Sequence, residues 1–249
     1  MRRLTNLLSL FLTLFLPVQG WAANSLGGIA TDAGNGNGSV NLSITTDSIT
    51  PTPTAGSTLG VAIHVVSDNS TTITCLGNKS NSFSRIAGSP TNVSGELILV
   101  FHAVNIATSA GHTVTCNFFD SHARDAQMIV FEIKGAATSS PFDVMAPSKD
   151  YNEQATPGTG ANAVTSTAAT TSASGDFIFG ATQTSDMGKV TGGTGFTEIA
   201  RVAHTFQAQY LIQGAASSIA ATWTNASGTQ HRSLMGSWKV AGGGGGAPQ

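Results

Sequence analysis

At 249 residues, with 10% of them charged and 40% hydrophobic, the chain is long enough for one or two cored domains and too apolar to be disordered. Its 11 Lys and Arg against 13 Asp and Glu leave a net charge of −2, which supplies no electrostatic footprint for nucleic acid or an anionic membrane. Ser, Thr, Gly, Ala and Asn fill much of the rest, so solubility rests on hydroxyls and amides, as in many extracellular β-proteins.

Residues 1–22 read as a secretory signal peptide. Arg2 and Arg3 form a positive n-region, Leu7 to Leu16 an apolar h-region that Pro17 breaks, and Gly20-Trp21-Ala22 a small-residue cleavage site before Ala23. The apolar run is shorter than the roughly 20 residues that span a bilayer. No later segment is a candidate span, so the expected mature chain is secreted or attached at the cell surface. Residues 23–38 then read as a flexible segment rich in Asn and Gly.

From residue 39 the dominant period is two, the signature of strands. Leu59, Val61, Ile63 and Val65 alternate with Gly60, Ala62, His64 and Val66, and Leu97, Leu99, Phe101 and Ala103 with Ile98, Val100, His102 and Val104. Runs so apolar on both faces predict central strands, one face on a core and the other partly covered. Similar segments are predicted near 71–76, 82–87, 112–119 and 127–134, then at 176–183, 195–202, 206–213, 218–224 and 232–240. Turn formers such as Ser67-Asp68-Asn69-Ser70 and Asn225-Ala226-Ser227-Gly228 separate them. No helical stripe exceeds two turns, so the expected class is all-β.

Cys75 and Cys116 each share a strand face with apolar neighbours, Ile73 in one case and Val114 and Phe118 in the other. They are either a disulfide, which an exported protein permits, or two buried free thiols. The two halves of the chain also echo each other. Phe83-Ser84-Arg85-Ile86-Ala87 reads like Phe196-Thr197-Glu198-Ile199-Ala200, and Thr113–Cys116 like Ala220–Trp223. At the latter offset Met128–Phe131 falls on Met235–Trp238, while upstream Thr58–Val61 is aligned with Asp176–Phe179. The expected organisation is two tandem antiparallel β-sandwich units, Ig-like or jelly-roll-like, at 39–135 and 160–241. A linker at 136–159 joins them, and 242–249 is a Gly-rich tail.

This order of segments, with TTSASGDFIFGA and QYLIQGAASSIAATWT in the second half, resembles repeat domains of uncharacterised bacterial secreted, surface or phage-structural proteins. The resemblance covers about residues 39–240. It implies a β-sandwich with an adhesive or structural role and carries no catalytic residues with it.

No G-x-S-x-G elbow, H-E-x-x-H helix, C-x-x-C pair or Walker loop occurs, and no cofactor or metal is expected. The densest polar constellation is Asp120-Ser121-His122-Ala123-Arg124-Asp125, where Asp120, His122 and Asp125 offer oxygen and imidazole groups for a ligand, or simply form a solvated turn. Tyr210 is a candidate sugar platform, whereas Trp223 and Trp238 fall at core-facing repeat positions. His64 and His102 are expected as hydrogen-bonded buried histidines. The reading is a non-enzymatic secreted or surface protein that binds an extracellular glycan or protein surface, or associates with itself. The alternative is a carbohydrate-active enzyme or binding module, which would show two acids facing each other across a groove.

Overall fold

In the computed structural model the described residues are 23–34, 43–66, 73–88, 96–118, 124–151, 162–184, 190–203, 205–225 and 231–242. The signal-peptide reading, Asp120, His122 and the Gly-rich tail beyond 242 lie outside them. Every regular element described is a strand, and all the strand pairs are antiparallel. No helix among the described residues is long and apolar enough to cross a membrane.

The first half supplies β1 (Ser25–Asp32), β2 (Ser43–Thr45), β3 (Thr58–Val66), β4 (Ile73–Gly77), β5 (Ser84–Arg85), β6 (Glu96–Ala103), β7 (Val114–Phe118) and β8 (Arg124–Lys134). They form a five-stranded sheet, β1-β8-β3-β6-β5, and a three-stranded sheet, β2-β7-β4. Strand β1 thus pairs with β8, β2 with β7 and β3 with β6. These nested pairs are those of one long hairpin rolled into two layers, which is jelly-roll connectivity.

The second half supplies β9 (Phe142–Tyr151), β10 (Asn162–Thr165), β11 (Ala169–Thr170), β12 (Phe177–Thr184), β13 (Val190–Gly192), β14 (Thr197–Val202), β15 (Phe206–Ile212), β16 (Ser218–Ile219), β17 (Thr222–Asn225) and β18 (His231–Trp238). Its large sheet runs β14-β15-β12-β18-β9 and its small one β10-β17-β13, with β11 and β16 as an extra pair. The nesting recurs, β9 with β18, β10 with β17 and β12 with β15. Each sheet draws its strands from one half of the chain.

Two expectations need correcting. Ser25–Asp32, expected as part of a flexible segment, is the edge strand β1. It is held by Glu132, a wholly buried carboxylate that accepts from the backbone N–H of Gly28 (2.9 Å) and of Thr54 (2.6 Å). Phe142–Tyr151, expected as linker, is the edge strand β9. Both were illegible because an edge strand with few apolar residues draws its order from its neighbour's ladder rather than from its own alternation.

Three apolar clusters lie between four layers. The first fills the space between β2-β7-β4 and the inner face of the first large sheet, with Leu59, Val61, Leu97, Leu99 and Val130 around the cysteines. There Cys75 and Cys116 are bridged, their Cα atoms 4.1 Å apart and 41 residues apart in sequence. Such a loop closure stabilises by about 3–4 kcal/mol in the chain-entropy model. A smaller cluster around Ile178, Trp223 and Met235 fills the second unit. The remaining cluster is the seam, where the outer faces of the two large sheets meet through Ala62, Val100, Phe131, Phe177, Phe179 and Trp238. Phe131 and Trp238 are fully buried, but they face the opposite unit and not their own small sheet.

The pairing registers allow the halves to be compared residue by residue. Phe131 and His102 both lie opposite Gly60, as Trp238 and Ile212 both lie opposite Phe177. The equivalent of Phe177 is therefore Gly60, and the expected match with Leu59 is one residue out. On this footing Leu59, Leu97, Leu99, Ala126 and Val130, all in the first core, correspond to Asp176, Gln207, Gln209, Ser233 and Ser237, all buried. Gln207 Oε1, Gln209 Oε1 and the Ser233 and Ser237 hydroxyls lack hydrogen-bond partners, and an unsatisfied buried polar group costs about 1–3 kcal/mol. Restoring the first unit's residue by Ser233→Ala, which adds no bulk, is expected to raise stability by roughly 1–2 kcal/mol. A urea midpoint that does not rise would show that the hydroxyl has a partner after all.

Candidate functional site

A cleft of about 500 Å³ opens at one end of the seam, lined among others by His64, Glu96, Asp125, Gln127, Gln183 and Thr205. Period two explains why these polar residues converge. His64 continues the outward face of Gly60 and Ala62, Glu96 that of Ile98 and Val100, Gln127 that of Ile129 and Phe131, and Gln183 that of Phe179 and Ala181. The seam is thus aromatic in its middle and polar at this end. At Asp125 the backbone has φ 48° and the ladder between β3 and β8 shifts register, a bulge that brings this residue to the wall of the cleft.

Glu96 forms an ion pair with Arg232 of the facing sheet, and Arg232 also donates to Gln183 Oε1 at 3.1 Å. His64 is 2% exposed, and its Nε2 is 3.7 Å from Glu96. Burial by itself would raise the Glu96 carboxyl, but His64 and the Arg232 guanidinium outweigh it and hold it below the ordinary 4.5. Neither ring nitrogen of His64 has a hydrogen-bond partner, and neither has Gln127 Oε1, although the Gln127 amide donates to Thr205 Oγ1. The expectation of a hydrogen-bonded core histidine is therefore corrected for His64. His102 does have a partner, accepting a hydrogen bond from the Trp238 indole at 3.2 Å, but it is half-buried.

Of the candidate ligand-binding residues read from the sequence that lie among the described residues, Asp125 is placed at this cleft and Tyr210 is not. Tyr210 is half-buried and stacks on Phe177 with ring centroids 5.1 Å apart and planes 6° apart, so one of its faces is already covered. Trp223 lies over Gly180 inside the second unit. Sequence reasoning read His64 as a core histidine and gave no site role to Glu96, Gln127 or Gln183. The signal available was a polar residue near one end of the outward-facing apolar set on each of four strands.

A second carboxyl pair lies inside the second unit. Asp176 is fully buried and neither oxygen receives a hydrogen bond, while Asp143 beside it accepts from the backbone and hydroxyl of Ser172. Burial, then the neighbouring Asp143, push Asp176 up to about 7. Two carboxylates are both acceptors, so their contact needs a proton on one of them. Glycoside hydrolysis instead sets its two acids about 5–10 Å apart on either side of a sugar.

Comparison of the chain with protein-family models, with curated proteins and with solved structures finds no match.

Proposed function

We propose that the chain is an exported, non-enzymatic binding protein, adhesive or structural in role, whose ligand enters the cleft at the end of the seam. The observation that carries this reading is the cleft itself, where His64 Nδ1 and Gln127 Oε1, on side chains nine-tenths buried or more, make no hydrogen bond. Buried polar groups left open in this way are expensive unless something completes them. The Cys75–Cys116 bridge supports an oxidising compartment, in keeping with the signal-peptide reading of residues 1–22.

The electrostatics favour binding over turnover. A carbohydrate-active enzyme needs one carboxyl that keeps its proton near neutral pH. At the cleft Glu96 is instead held low by His64 and Arg232, and Asp176, the carboxyl pushed up to about 7, is fully buried in the second unit beside Asp143. Expression of the full chain in a secreting host should yield mature protein beginning at Ala23 outside the cytoplasm. That material, immobilised on a glycan and surface-protein array, should capture ligand at least about tenfold better than its Gln127→Leu variant, the equivalent of roughly 1.4 kcal/mol. Cytoplasmic protein that retains Met1 would sink the export reading, and capture unchanged by the substitution would sink the cleft.

A further inference from the structure

We infer that the cleft takes a neutral polyhydroxylated ligand, a saccharide unit of one or two rings; this rests on the binding reading above. The size is that of a small-molecule site. Its chemistry then excludes the other common classes one by one.

An apolar ligand would leave His64 Nδ1 and Gln127 Oε1 buried without hydrogen bonds, an arrangement that costs free energy. An anion would face Glu96 and Asp125, and the Arg232 guanidinium is already paired with Glu96 and with Gln183. A cation would compete with that same guanidinium for Glu96. Hydroxyl groups suit what remains, because each donates once and accepts twice. The His64 imidazole carries ring nitrogens that can donate or accept, Gln127 Oε1 accepts, and the Thr205 hydroxyl does both. Val66, Ala33 and Ala203 supply small apolar wall between these polar groups, as the C–H faces of a sugar ring require.

The test is saturation-transfer NMR on the secreted mature protein with glucose, galactose, mannose and N-acetylglucosamine, and with glucuronate and glucosamine as charged counterparts. At least one neutral sugar should bind, and both charged forms should bind at least about tenfold more weakly than it does. Gln127→Leu and the milder Thr205→Val, which releases the Gln127 amide, should each weaken binding by about tenfold or more. Asp143→Asn, far away in the second unit, should leave it unchanged. Thermal melts separate lost binding from lost folding, and Thr205→Val keeps the test open if Gln127→Leu does not fold. Charged sugars binding as tightly as neutral ones, or binding indifferent to both cleft variants, would overturn the inference. If no sugar binds while array capture still depends on Gln127, the saccharide assignment falls and the binding site stands.

Discussion

Trp238→Ala is expected to destabilise the protein by about 3–5 kcal/mol, a large part of the stability of a domain. Its indole is fully buried and meets the rings of Phe131, Phe142, Phe177 and Phe179 edge-on, with centroids 5.5 to 6.5 Å away. Truncation leaves a cavity between two sheets that cannot collapse onto it. It also removes the donor to His102 Nδ1. Phe131→Ala should cost a similar amount, because Phe131 stacks on Phe179 at 4.6 Å and its ring lies across Gly60. The two losses should not add. Both side chains belong to one cluster that joins the units, and contacting residues couple by about 0.5–3 kcal/mol. Urea denaturation of the single and double variants measures this. Costs below about 1 kcal/mol for each, summing in the double variant, would mean that the large sheets do not meet through these rings.

Asp176→Asn should stabilise the protein above neutral pH and do little in acid. In the folded chain Asp176 holds its proton up to about pH 7, against an ordinary value of 3.8. A carboxyl raised in this way contributes stability that is fully present below about pH 4. That contribution is lost as the pH climbs through 7, because the unfolded chain gives up its proton first. The gap between the two values caps the effect at roughly 4 kcal/mol. Asparagine mimics the protonated acid and can donate to Asp143, so the advantage of the variant should grow from pH 4 to 8 and then level off. His102 and His112 act with the opposite sign. Burial lowers both, helped at His112 by Lys79, so their contribution is present above about 6.5 and fades as the pH falls. They are unchanged in the variant, and the difference between the two denaturation profiles isolates Asp176. An advantage that is the same at pH 4.5 and pH 8 would refute the account.

Much of the fold was legible because strand alternation is a local property. Leu59 to Val66 and Leu97 to Ala103 declared themselves as strands apolar on both faces, and both faces are buried. The cysteines shared faces with core residues, and they are bridged. The offset that sets Met128 on Met235 and Phe131 on Trp238 puts like faces together, with the methionines in their own cores and the aromatics in the seam.

Alternation sorts side chains into two sets without saying what either set meets. For that reason the seam was not visible, and Phe131 and Trp238 were expected to point inward. Gly60 and Phe177 occupy equivalent places, yet one is bare because a neighbouring ring fills its space and the other fills that space itself. No comparison of side chains could pair them, and only the ladder does. The cleft belongs to the same class of fact. His64, Glu96, Gln127 and Gln183 lie on four strands drawn from both halves of the chain. Period two puts each on the outward face of its sheet, but the packing of one sheet against the other gathers them around one cleft.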